Sequence, residues 1–106
     1  MQQFEKDMQS PHRLLFEEAR GFLLAIYGIA ETRKPRITTY SNVKGGICHL
    51  RTMPHGVDIG FLKGARMDDR HGRLSGDGKA VRVLSLETFE PATVRYYVEQ
   101  AIALNG

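Results

Sequence analysis

Apolar residues recur at Leu15, Ala19, Phe22, Leu23, Ile26 and Ile29, a spacing that lines one side of an α-helix. Glu17, Glu18 and Arg20 take the other side. Ser10 stands where an N-cap belongs, and Pro11 at the first helical position, where its missing N–H would be unpaired anyway. Gly28 is the expected terminator. Gly21, inside the helix, lowers its propensity by about 1 kcal/mol relative to alanine; a close approach by another element would explain it. Residues 1–9 are polar and are expected to fray. A second stripe, Val94, Tyr97, Val98, Ala101 and Ile102, predicts a C-terminal helix. It starts at Thr88 or Glu90, has Pro91 in its first turn, and stops at Asn105-Gly106.

Between the two stripes the period shortens. Residues 31–36 form a polar connection, with Pro35 forbidding further helix. Ile37–Asn42, Ile47–Met53 and Val57–Leu62 read as strands, joined by turns at Lys44-Gly45-Gly46 and Pro54-His55-Gly56. Turns this short make neighbours antiparallel. A glycine-rich loop runs from Lys63 to Lys79, and Ala80–Leu86 is a fourth strand. The fold expected is α+β in a single domain over residues 1–106. It has an N-terminal helix, a four-stranded antiparallel meander and a C-terminal helix, with both helices on one face of the sheet. Alternation sends Val57, Ile59, Phe61, Cys48, Leu50, Val81 and Val83 toward the helices. It sends His49, Arg51, Asp58 and Arg82 outward, with Tyr40 or Thr38 nearby, and Met53, Leu62, Leu84 and Leu86 join them. A mixed outer face suggests a ligand, a partner or a homodimer.

Composition narrows the class further. The 106 residues, 42% hydrophobic and 25% charged, suit one core in a soluble globular domain. The single cysteine, Cys48, excludes an intrachain disulfide and points to a reducing cytoplasm. No apolar run is long enough to span a membrane, and the first residues lack the pattern of a signal peptide. The net charge of +3 is spread among interspersed acidic residues, which argues against a nucleic-acid partner.

Gly76-Asp77-Gly78-Lys79 invites a phosphate-loop reading, but Arg73 stands where the first glycine is required, Ala80 follows the lysine, and a strand comes next. A looser anion site remains, with Lys63, Arg66, Arg73, Lys79 and Arg82 converging on exposed backbone N–H groups. The competing expectation is that Arg82 and Lys79 pair with Asp58, Asp68 or Asp77 and only hold the loop. No histidine or cysteine pair has zinc spacing. Cys48 is expected in the core, and Asp68-Asp69 could both reach one hard cation from a loop. Ser75 and His71 lack an orienting third group, so Ser75 is expected to bond local backbone. Tyr96 and Tyr97 are expected at the core and its rim.

The stretch Val57-Asp58-Ile59-Gly60-Phe61-Leu62-Lys63-Gly64-Ala65, then Asp68-Asp69, then Gly72 to Arg82, resembles the YdhG-like domain of unknown function. The resemblance covers residues 56–106. Arg70 stands where a proline is common in that bacterial family, and Val83 where a histidine is common. The resemblance implies an α+β fold similar to that of frataxin, and one family member is an iron chaperone. Two functions follow as expectations. The first is a non-enzymatic binding module taking a small anion or a protein partner at the outer sheet face and glycine-rich loop. Arg82, Lys79 and Arg51 would be its donors, with Asp58 and His49 orienting them; no catalytic residue and no cofactor is expected. The alternative is an intracellular iron carrier using Glu17, Glu18, Asp68 and Asp69. A homodimer built on Met53, Leu62 and Leu84 is a third possibility.

Overall fold

A computed structural model describes all 106 residues. Three helices, α1 (Gln3–Met8), α2 (Arg13–Leu24) and α3 (Pro91–Leu104), accompany six strands. These are β1 (Ala30–Arg33), β2 (Thr38–Asn42), β3 (Gly45–Met53), β4 (Gly56–Phe61), β5 (Leu74–Ser75) and β6 (Arg82–Leu86). They form one antiparallel sheet in the order β1-β2-β3-β4-β6-β5. The class is α+β as expected, but the sheet has six strands rather than four.

Both extra strands lie at edges. The polar connection becomes β1, pairing Ala30 to Arg33 with Ser41 to Thr38. Its side chains do not alternate between apolar and polar, because an edge strand largely in solvent needs no such pattern. Glu31 anchors it, accepting hydrogen bonds from Arg20 Nε at 2.6 Å, Tyr40 Oη at 2.9 Å and Arg33 Nε at 3.0 Å. The other addition, β5, is a two-residue pairing of Leu74 and Ser75 with β6.

The first nine residues do not fray. They form α1, and Asp7 is fully buried against the sheet. Its Oδ1 accepts from the Thr52 backbone N–H at 3.0 Å, the Thr52 hydroxyl at 2.7 Å and Gln3 Nε2 at 2.9 Å. Phe4 packs edge-on against Phe16. The contacts to Thr52 and Phe16 lie outside α1 in sequence, so local pattern could not reveal them. The second helix also starts later than Ser10-Pro11 suggested. Ser10 Oγ instead accepts from the His12 N–H at 3.0 Å, shaping the turn that precedes α2. The helix ends at Leu24, so Ile26 and Ile29 lie in the following loop, where Gly28 has φ 85°. No element approaches Gly21.

The last strand shows the opposite face from the one expected. Leu86 pairs with Val57, Leu84 with Ile59 and Arg82 with Phe61, and paired residues share a face. Leu84 and Leu86 are therefore buried, Val83 turns to the other side, and Val81 is exposed. Likewise Tyr40 opposes Cys48 and Thr38 opposes Leu50, so both are buried. One core joins these residues to Leu15, Phe16, Ala19 and Leu23 of α2 and to Val94, Tyr97, Val98 and Ala101 of α3. Burial of apolar area of this kind, at about 25 cal/mol per Å², is the main stabilising term of the fold.

No helix is long and apolar enough to cross a membrane.

Candidate functional site

The outer sheet face is built from two cross-strand rows. Thr39, His49, Gly60 and Val83 are paired in one row, and Arg51, Asp58 and Ser85 in the next. Gly60 is essential to the first. A Cβ there would collide with the His49 imidazole, so glycine lets the ring lie flat across the sheet. His49 Nδ1 is buried there without a hydrogen-bond partner. Burial, then repulsion from Arg51, holds the imidazole below its ordinary value of 6.5, and Asp58 opposes this only in part. His49 is therefore neutral at pH 7.

In the second row the charges are unequally committed. Asp58 Oδ1 accepts from Ser85 Oγ at 2.8 Å and lies 2.7 Å from His55 Nε2. Arg51, the direct cross-strand neighbour of Asp58, is exposed and makes no hydrogen bond or ion pair. Three of the five expected ligand-binding residues, His49, Arg51 and Asp58, thus do meet on one face.

Arg82 and Lys79 do not join them. Arg82 lies on the helix side of the sheet rim, and its Nη1 donates to the carbonyls of Gly78 at 2.5 Å and Val81 at 2.9 Å. Gly64 packs directly against the Arg82 backbone and Cβ. Arg82 therefore closes its own loop through carbonyls, without the aspartate pairing expected for it. Lys79 is exposed and unpaired. Lys63 Nζ caps the end of α3 by donating to Leu104 O at 3.2 Å, so the loop's cations do not converge. Leu84, proposed for a dimer face, is buried, while Met53 and Leu62 remain half-buried.

The acidic pair of the loop has partners in α3. Tyr96 Oη donates to Asp68 Oδ2 at 2.8 Å, and Gln100 exchanges two hydrogen bonds with the Asp68 backbone. Asp69 accepts from Tyr97 Oη at 2.5 Å, from the Arg73 N–H at 2.9 Å and from the Leu74 N–H at 3.3 Å. Burial works to raise the Asp69 carboxyl, but these bonds outweigh it and hold it low. Burial, then the bond to Asp69, pushes the Tyr97 hydroxyl up to about 12. His71 rests edge-on against both tyrosines, and Arg70 lies over the Tyr96 ring. The tyrosines thus pin the loop to α3. Glu17 pairs with Arg13 at 3.6 Å on the exposed side of α2, and Glu18 is exposed. No three or more His, Cys, Asp or Glu side chains converge into a metal-binding group. Cys48 is buried, and burial pushes its thiol up to about 12, far from a reactive thiolate. Ser75 Oγ donates to Val83 O at 3.3 Å, a backbone contact of the kind expected.

One feature escaped the sequence altogether. A cleft of about 410 Å³ lies where the outer face, the glycine-rich loop and the start of α3 meet, lined by His55, Arg73, Ser85, Glu87, Thr88 and Glu90. Arg73 forms a bidentate pair with Glu90, at 2.7 and 2.8 Å, and also donates to Ser85 O at 3.2 Å. The bond to Glu90 raises the Arg73 value, and the bond from Arg73 lowers that of Glu90. Gly56, at φ 151°, lets the turn carrying His55 approach the Leu86 carbonyl, where any Cβ would clash. The phase expected for the last strand turned Ser85 inward with Val83; its pairing with Asp58 brings it outward, and tertiary packing brings the rest together.

No family model matches the chain, and no curated protein or solved structure matches it either.

Proposed function

We propose that this protein is a non-enzymatic binding module whose open sheet face takes an anionic group, carried by a small molecule or by a protein partner. Arg51 is the cationic contact, and the neutral His49 ring provides a flat platform beside it. The observation that carries the reading is the uncommitted guanidinium of Arg51. Its cross-strand neighbour Asp58 takes Ser85 and His55 at Oδ1 and makes no bond to Arg51, which is exposed with its donors free. A reducing cytoplasm suits a protein whose single thiol is buried and unpaired. The YdhG-like resemblance would also allow iron carriage. Asp68 and Asp69, however, are held by Tyr96, Tyr97 and Gln100, which favours the sheet face as the functional surface.

Titration calorimetry with inorganic phosphate, citrate and an acidic peptide tests this. Saturable binding is expected for at least one of them. It should vanish in Arg51→Ala and persist in Arg82→Ala, with both variants folded by circular dichroism. Binding that survives Arg51→Ala, or no binding by any of the three, would overturn the reading.

A further inference from the structure

The cleft beside the sheet face has a different chemistry, and its donor and acceptor inventory says what it can hold. The strong donors in its wall are turned mainly to internal partners. Arg73 gives its N–H groups to both Glu90 oxygens and to Ser85 O. Ser85 Oγ gives its proton to Asp58, and His55 Nε2 faces the same carboxylate oxygen. What remains open is mostly acceptor. Glu87 lines the cleft, is exposed, and has no hydrogen bond or ion pair. The Thr88 hydroxyl is likewise unengaged by other side chains. With Arg73 neutralised by Glu90, the free charge at the wall is the Glu87 carboxylate. No apolar side chain lines the cleft, and its volume of about 410 Å³ lies within the range of small-molecule sites.

From this inventory we infer that the cleft is a second binding site, for the ammonium head of an alkylamine. Glu87 is its counterion, and the Thr88 hydroxyl accepts a further N–H. An ammonium group is a compact cation with three donors and no acceptor, so it complements the open Glu87 carboxylate and the Thr88 hydroxyl oxygen. An anion would meet the carboxylates of Glu87 and Glu90. The Arg73–Glu90 pair acts as a rigid wall rather than as a ligand contact, and the Gly56 turn holds His55 across from it. The site goes beyond the Arg51 surface in both position and charge. Two sources could supply the same head group, a free diamine or a lysine side chain on a peptide.

Amide chemical-shift mapping of the full chain provides the test. Three probes are used: putrescine, an α-acetylated lysine amide with its ε-ammonium free, and the same lysine amide acetylated at Nε, which is neutral. Saturable shifts centred on Ser85, Glu87 and Thr88 are expected for one or both cationic probes and not for the neutral one. Response to putrescine alone assigns the site to free amines, and response to the lysine amide assigns it to peptides; either supports the inference. Glu87→Gln should weaken binding about tenfold, as loss of a charge-assisted contact does. Arg51→Ala should leave this binding unchanged, which separates the site from the sheet-face reading. Shifts of equal size with the neutral probe, undiminished binding in a folded Glu87→Gln, or no saturable response to either cation would overturn it.

Discussion

Glu31 and Asp58 are both carboxylates on strands, each beside arginine, yet they serve opposite ends. Around Glu31 every cation is used up: Arg20 and Arg33 both pair with it, and the Tyr40 hydroxyl closes the group. Its side chain is only 10% exposed. Around Asp58 the partners are a histidine and a serine, and the adjacent arginine is left over. The first arrangement fastens an edge strand to α2. The second leaves free valence facing solvent, which folding alone does not require. The charges that fasten β1 are saturated, and the Arg51 guanidinium is spare.

The sharpest way to break this contrast is Glu31→Gln. It leaves two guanidinium groups without a counterion and should cost about 2–4 kcal/mol in a urea melt. A loss below about 0.5 kcal/mol would make the Glu31 group as dispensable as an ordinary surface pair. The same carboxylate gives a pH signature. Burial would raise it, but bonds from Arg20, Tyr40 and Arg33 outweigh burial and hold it below its ordinary value of 4.5. Its stabilisation is therefore complete above that value and is lost as pH falls through the depressed folded value. The acid limb of the stability curve should flatten in Glu31→Gln.

Tyr97→Phe comes next, with an expected loss of about 1 kcal/mol from the missing bond to Asp69. The Tyr97 hydroxyl is raised from 10.0 to about 12 in the folded protein. Its contribution is complete below the unfolded value and fades as pH climbs from 10.0 toward about 12. Thermal melts across that window should show a gentler alkaline decline in Tyr97→Phe than in the parent. The smallest effect is expected of Arg51→Ala, within about 0.5 kcal/mol of the parent, because the side chain is exposed and bonds nothing. A loss of 2 kcal/mol or more by the same melt, a size tied to named structural mechanisms, would show Arg51 to be structural and would erase the contrast.

The parts of the fold legible in sequence were those with a clean period: the buried sides of α2 and α3, and the strands β2, β3 and β4. What failed had physical causes. The edge strand β1 carries Glu31, Thr32 and Arg33, whose order comes from Arg20 and Tyr40 elsewhere in the chain. The face of β6 was ambiguous because Val81 and Val83 offer one apolar phase while Leu84 and Leu86 offer the other. Only pairing with Val57 and Ile59 decides between them. That one-residue phase error also misplaced Arg82 and Leu84. His49, Arg51 and Asp58 were legible because β3 and β4 alternate without interruption. The cleft residues were not, since His55, Arg73, Ser85 and Glu90 come from a turn, a loop, a strand and a helix start.

The burial of Cys48 has a practical consequence. Cys48 is fully buried between its cross-strand neighbours Tyr40 and Phe61, so an alkylating reagent can reach it only when the structure opens. The chain thus carries its own stopwatch: the rate of thiol modification in dilute buffer times spontaneous sheet opening, with no label added and no residue changed.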